Sequence, residues 1–501
     1  MFLRKKVNKS GVISVQIIDK SSGKYKVYKT IGSSSDLNEV DSLFLEGRRI
    51  ILEAQKAQEF DFTDYRKIYS DVLSSIVSQK TIGIQYVLGK IFNDIGFNQI
   101  KDNLFKDLVL YRLVYPKSKL KTTEYLYRYE QKLYSEDVIY RFMDKLNNRY
   151  KDKVQEISIK HTQKILDNTI QAVFYDVTTI YFEIEREDQL RIPGFSKDGK
   201  HSNPQILLGL LVSKNAYPLA YDIFEGNKFE GDTFIPILDK FREKFKLEKL
   251  TVIADAGLLS QKNIQDLINK KYEFIIGARI KNEKESIKQE ILNFNFKKEN
   301  NVLLSKDNLN LIVTYSEKRA KKDSYNREKG LKKLEKLLKS KKLTKSSINN
   351  RGYNKFLEMD GEISLKIDDD KIKIDEKWDG LKGYITNSSM NKEEILENYK
   401  NLWQIEKAFR VAKSELKIRP IFHFKRERIE AHICLNFVAY KIYKELERIL
   451  KLKKSTLSPE KVIQIIQNIT QISVLMPDND IIDKTLILTE EQKIVQELFD
   501  F

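Results

Sequence analysis

Period-two alternation opens the chain, gives way to helical spacing, returns in a block of apolar strands and ends in long helices. In residues 1–33, VISVQIID and KYKVYKTI flank the turn residues Ser21, Ser22 and Gly23, which predicts a β-hairpin. From Asp36 to about Glu59 the spacing turns helical. Residues 84–150 predict a run of helices, over IQYVLGKIFNDIG, DNLFKDLVLYRLVY, TTEYLYRYEQKLY and SEDVIYRFMDKLNNRY. Pro116 stops the second, the polar run Lys117–Thr123 makes a turn, and Ser135 caps the fourth. Short helices joined by the basic turn YPKSKLK suit a DNA-binding module, and a plain helical bundle with a basic surface suits them too.

At Gln171 the texture changes. QAVFYDVTTIYFEI is β-branched and aromatic, and ILLGLLVSKNAYPLAYDIFEGN reads as two strands around a turn at Lys214–Asn215. A helix over DTFIPILDKFREKF, a strand in KLTVIADAGLLS, a helix capped by Ser260 and a strand in YEFIIGARI follow. That order predicts an α/β sheet of mixed strand direction. Residues 281–375 interrupt the alternation with a strand (NLIVTYSEK) and a basic segment, Lys318–Lys345, holding thirteen Lys/Arg against three acids. Leu331, Leu334 and Leu338 keep helical spacing there, so a charged helix packed by one narrow stripe is expected, as a solvated face or a phosphate contact. GEISLKI and KIKIDEKWDG read as paired strands around the turn Asp368–Asp370, and GLKGYITNS as a core strand.

Asn391–Leu416 reads as one long helix, with no Pro or Gly inside and Asn391 as its cap. At roughly 100° per residue, Tyr399, Leu402, Glu406, Arg410 and Lys413 share one side. Ile395, Trp403, Phe409 and Val411 supply apolar contacts around the rest. A core helix needs no glutamate beside its packing stripe; Glu406 is either half of an ion pair with Arg410 or a functional acid. A second long helix follows over RPIFHFKRERIEAHICLNFVAYKIYKELERIL, then a helical tail to Phe501.

Composition narrows the chemistry. The net charge of +18 over 501 residues favours a polyanionic partner, nucleic acid or an anionic membrane surface. No run of about twenty apolar residues occurs and MFLRKKVNKSG has no apolar core, which argues against membrane insertion and secretion and for a cytoplasmic setting. One cysteine, Cys434, excludes an internal disulfide and a Cys-based zinc site. Four scattered histidines (His161, His201, His423, His432) argue against a His-ligated centre; His423 and His432 read as orienting a ligand carboxylate or as ordinary hydrogen-bonded residues. Any metal falls to carboxylates, which suits Mg or Mn. Asp176 sits mid-strand among apolar neighbours and Asp255 ends an apolar strand, costly placements for an acid unless it is paired or holds a cation. Each has an ordinary alternative, Asp255 as a turn cap and Asp176 as a hydrogen-bonded core acid. Together with Glu406 they suggest an oxygen-ligand site for two divalent ions acting on a phosphodiester.

YDVTTIYFE, VIADAGLLS and Y-x2-L-W-x-I-E-x3-R-x2-K, in that order, resemble the DDE transposases of bacterial insertion sequences. The pattern is most similar to the insertion-sequence-four superfamily, whose last acid lies in a Tyr-x2-Arg-x3-Glu-x6-Lys signature. Tyr399, Glu406 and Lys413 match that signature, Asp176 and Asp255 match the two aspartates, and RPIFHFKRERIEAHICL resembles the segment that follows. The resemblance spans roughly residues 85–450 and departs at Leu402, which replaces the signature Arg and cannot bind a phosphate.

The resemblance implies a ribonuclease H-like catalytic core with a β-rich insertion domain, a helical N-terminal DNA-binding region and a helical C-terminal tail. The expected division is 1–60 hairpin plus helix, 61–165 helical DNA-binding region, 166–280 and 376–450 the two parts of the core, 281–375 the insertion and 451–501 the tail. Asp176, Asp255 and Glu406 would be the catalytic metal ligands for two Mg2+ or Mn2+ ions. Tyr399 and Lys413 would contact DNA, and Arg410 would pair with Glu406 or with DNA. The implied activity is cleavage of transposon ends and joining of the 3′-OH to target DNA, by a homodimer on double-stranded DNA with terminal inverted repeats, at the nucleoid when bound. A nuclease of the same fold without strand transfer, and an inactive transposase-derived DNA-binding protein, are the alternatives.

Overall fold

The computed structural model describes residues 1–55, 65–166, 170, 172–184, 186–196, 199–245, 247, 250–340, 343, 347–349, 352–360, 364–476 and 478–501. The ends of three expected elements, at 56–59, 344–345 and 361–363, lie outside the described residues. The chain forms two compact units, Met1–Val77 with Val474–Ile482, and Ser78–Ser473 with Asp483–Phe501.

In the first unit the expected hairpin, Ile13–Asp19 with Lys26–Ser34, gains a third antiparallel strand, Phe2–Val7. The helix Leu37–Ala54 starts where Asp36 accepts a hydrogen bond from the Asn38 amide, and its Val40 joins Val15, Ile17 and Ile18 in burial.

The second unit is built on an eight-stranded mixed sheet. Ala172–Tyr181, Gln205–Ser213 and Pro218–Glu225 form an antiparallel meander, and Gln205–Ser213 is buried along its whole length. Thr251–Ala254 and Glu273–Ala278 then run parallel to the first strand, on its other side. The helices Gly231–Phe245 and Gln261–Asn269 each precede one of these two strands and bury Phe234, Phe241 and Leu267 against Val173, Tyr175 and Val252 on one face. Leu381–Thr386, Leu309–Tyr315 and Asn301–Lys306 extend the sheet antiparallel beyond Glu273–Ala278.

The opposite face of the sheet carries Phe174 and Ile180, packed with the long helix Arg426–Leu452. Between Ala431 and Leu446 every residue of that helix is buried, including Lys441, Lys444 and Glu445, the mark of an element enclosed on every side. The helices Asn103–Val114 and Glu136–Lys145 supply the enclosure, with Leu108, Leu110 and Phe142 in the same core. No helix among the described residues is long and apolar enough to cross a membrane.

Three expectations need correction. Residues 281–375 are mixed rather than β-rich: two of their strands belong to the main sheet, a 23-residue helix (Glu317–Lys339) follows, and only the short pair Leu357–Asp360 and Ser364–Ile367 is separate. That helix is the charged one expected, buried through Leu334 against Phe356 and Leu357. KIKIDEKWDG holds a helix, Asp369–Glu376, not a strand. Asp368 caps it by accepting from the Lys371 amide, and Asp369 and Asp370 in the first turn favour its dipole, which outweighs the alternating isoleucines. The C-terminal region is not wholly helical, because Thr470–Leu475 and Ile481–Leu486 are strands, rich in β-branched side chains.

Candidate active site

Register brings the two aspartates together. The last paired rung between the parallel strands is Tyr175 with Ala254, so the next positions are Asp176 and Asp255, about one strand spacing apart. Asp176 shares its face of the sheet with Phe174 and Ile180 because side chains alternate. Both acids are half-buried. Asp176 accepts a hydrogen bond from the Val177 amide at 2.7 Å. Asp255 leaves the strand in extended backbone and caps the following turn, accepting from the Gly257 amide at 2.9 Å.

The same row continues through Gly277 to Tyr384, which are paired across the next two strands. Gly277 leaves room on that row, and the Tyr399 hydroxyl fills it. A β-carbon at 277 would stand 2.6 Å from Tyr399 Oη and 3.0 Å from the Ala256 amide nitrogen. The Tyr399 ring packs 4.4 Å from the ring of Tyr384, centroid to centroid, and the residue is buried.

Glu406 comes from the same side of the sheet. The expected single helix is in fact two, Lys392–Lys400 and Trp403–Ser414. Asn401 breaks it: the side-chain amide bonds the Glu397 carbonyl, and tight i→i+3 bonds (Leu402 to Tyr399, Gln404 to Asn401) turn the chain there. The second helix packs on the Asp176 strand and buries Ile405, Ala408 and Phe409. Glu406 lies in its first turn and is exposed, a position where the helix dipole favours a carboxylate.

The face predicted as continuous therefore runs from buried to open. Tyr399 and Leu402 are buried, Glu406 and Arg410 exposed, and Lys413 half-buried. Among the described residues no ion pair joins Glu406 to Arg410. Trp403, expected among the apolar contacts, is 51% exposed. His423 and His432 are both buried, and His432 Nε2 donates to the Ile418 carbonyl at 2.9 Å.

One cation beside the acids escaped sequence reasoning. Lys382, two positions from Tyr384 on the same strand, lays its ammonium 4.6 Å from the Tyr399 ring centroid and 5.7 Å from that of Tyr384. Burial and the nearby Arg319 charge lower its pKa, while Glu406 and Asp255 partly restore it. Tyr399 feels the same acids: burial first, then Asp255, and also Glu406, push its hydroxyl above the usual phenol range. Asp255 and Glu406 thus flank one Tyr–Lys pair. No signal short of the sheet register marks Lys382 within GLKGYITNS.

The sequence profile described as "Transposase DDE domain" matches residues 167–442, more than half of the chain and all three acids. The chain belongs to this transposase family. A 97-residue stretch is 35% identical to the transposase for insertion sequence element IS231E of Bacillus thuringiensis subsp. finitimus, covering 18% of this chain and 20% of that relative. Among solved structures, the chain is similar to a piggyBac transposase synaptic complex with hairpin DNA, at 10% identity and a TM-score of 0.38, covering 77% of this chain and 76% of that one. The Mos1 transposase paired-end complex is similar at 13% identity and a TM-score of 0.16, covering 46% and 71%.

For this transposase-family chain the donor chemistry suits a hard divalent ion, because Asp176 and Asp255 are carboxylate oxygen donors on adjoining rungs. Among the described residues no three acids, histidines or cysteines are gathered as a metal-holding group.

Proposed function

We propose that this chain is a DNA transposase with a ribonuclease H-like core, in which Asp176, Asp255 and Glu406 hold two Mg2+ or Mn2+ ions. Its substrates are double-stranded DNA with terminal inverted repeats and target DNA, engaged by a homodimer at the nucleoid. The observation that carries this reading is the adjoining placement of Asp176 and Asp255, on the face where the Glu406 helix packs. The strand order supports the core assignment, with a three-strand meander followed by two strands that run parallel to its first strand, on its other side. Family membership and the name of the insertion-sequence relative support the substrate.

Divalent ions held by such carboxylates activate an attacking oxygen and stabilise the leaving oxygen of a phosphodiester. The chain's own residues do the rest. Lys382 contributes a positive charge next to Asp255 and Glu406, where a phosphate's negative charge would accumulate. Tyr399, buried against Gly277 and Tyr384, fixes the loop that follows Asp255 and so acts as a positioning residue, with little surface left for DNA. Arg410, exposed, and Lys413, half-buried, follow Glu406 along its helix and add positive charge on the side where the DNA backbone would run. The signature arginine is missing at Leu402, which is buried, and Lys382 supplies charge near the same acids from another strand.

The test uses the full chain with DNA carrying a cognate end and Mg2+ or Mn2+. Wild type is expected to nick at the end, and Asp176→Asn, Asp255→Asn and Glu406→Gln to lose nicking while still binding DNA. Equal nicking by all four proteins removes these acids from the mechanism. A single-turnover assay on a pre-nicked 3′-OH end separates transposition, which joins it to target, from simple nuclease activity, which does not.

A further inference from the structure

Away from the acids, the second unit has an open cavity of about 490 Å3 between the turn after Asn103–Val114 and the segment that follows the Glu406 helix. Its lining holds Arg112, Lys117, Lys119, Lys121, Lys417 and Arg419, together with His423 and His432, and not one acid. Arg112 and Lys119 are buried, at 6% and 5% exposure. Neither makes a hydrogen bond or ion pair among the described residues. A guanidinium and an ammonium buried side by side without a counter-charge carry a desolvation cost and repel each other.

Two further features point to what offsets that cost. Lys119 opens the helix Lys119–Glu130, capped by Ser118, so the positive end of its dipole lies at the cavity. His432 donates from Nε2 to Ile418, which leaves Nδ1 buried with no partner among the described residues. An anion alongside would let this ring take a proton and donate from Nδ1 as well. Burial and the charges of Lys119 and Arg112 hold His423 down to about 3, and push His432 well below its ordinary value. The cavity is thus electropositive beyond what its exposed lysines provide.

We propose that this cavity is a phosphate-binding site, separate from the three acids, which takes a phosphate of the DNA backbone between Arg112 and Lys119. The basic stretch YPKSKLK, expected as a turn and in the structure helical from Lys119 on, forms one wall of it. The inference rests on the DNA-binding reading only for the source of the phosphate, and it is separable in practice. Binding without added divalent ion reads the cavity; cleavage reads the acids.

The experiment compares the full chain with Lys119→Met, Arg112→Met and Lys119→Arg in two arms. The first measures affinity for a short DNA duplex across a salt series. Each methionine variant is expected to weaken binding and to reduce the slope of log affinity against log salt by about one, with Lys119→Arg retaining the wild-type slope. The second measures thermal stabilisation by inorganic phosphate. Loss of that stabilisation in the methionine variants, with DNA binding unchanged, assigns the site to free phosphate instead of the DNA backbone. Folded methionine variants that match wild type in both arms overturn the site. Should they fail to fold, Lys117→Ser at the exposed rim is the substitute, with a smaller change in slope expected and no change counting against the proposal.

Discussion

Gly277 and Tyr399 fit together only because residue 277 carries no side chain: a β-carbon there would lie 2.6 Å from the tyrosine hydroxyl. The backbone nitrogen of Ala256, at 3.0 Å from the same point, leaves little freedom to retreat. Gly277→Ala is therefore expected to cost about 1–3 kcal/mol of stability and to disturb the loop carrying Asp255. Chemical denaturation checks the first effect and metal-dependent nicking the second. Tyr399→Phe removes the colliding oxygen, so the double variant should recover part of the loss, a coupling of about 0.5–2 kcal/mol. Strict additivity would mean that the two residues do not touch.

Lys382 offers a second check on the site. Its ammonium rests on two tyrosine rings and, among the described residues, makes no hydrogen bond or ion pair. A structural role predicts lost stability in Lys382→Met, whereas a role in binding phosphate predicts a fold that is equally or more stable and nicking reduced by about tenfold or more. Thermal melting and single-turnover cleavage of the same preparation decide between them. Unchanged cleavage would leave the lysine without a part in the reaction.

What the sequence made legible follows from how local each cause is. Asp176 and Asp255 stood out because an acid inside an apolar strand has few ordinary explanations, and their strands were readable for the same reason. The signature spacing located Glu406, but the break at Asn401 was hidden, since a polar residue on a helix surface is unremarkable until its side chain bonds the preceding turn. Lys382 and Gly277 acquire meaning only from sheet register, which joins residues about a hundred positions apart. Nothing local marks Arg112 within DNLFKDLVLYRLVY, and it lines the same cavity as His423, about three hundred residues later. The Asp369–Glu376 helix was misread because alternating isoleucines imitate a strand while the deciding interaction, the Asp368 cap, occupies one residue.

The Glu406 helix is tied to the core by Glu447 on the long helix Arg426–Leu452. Lys407, next to Glu406, donates to Glu447 at 2.6 Å, and Lys444 donates to the same carboxylate. Burial alone would raise the pKa of Glu447, but the hydrogen bonds and charges of the two lysines prevail and hold it at about 2. A carboxylate whose folded pKa lies below its unfolded value of 4.5 contributes stability that is complete above that value and lost as pH falls toward 2. Partial exposure of Lys407 screens the pair, so the contribution is on the order of 2 kcal/mol rather than the full shift. Glu447→Gln is expected to lose that amount at neutral pH and to flatten the acid limb of a stability–pH curve between about 4.5 and 2. Because the contact anchors the helix of the third acid, nicking at neutral pH should fall in the same variant with DNA affinity retained. A Glu447→Gln protein with the wild-type acid limb would show that the carboxylate is not held by these lysines in solution.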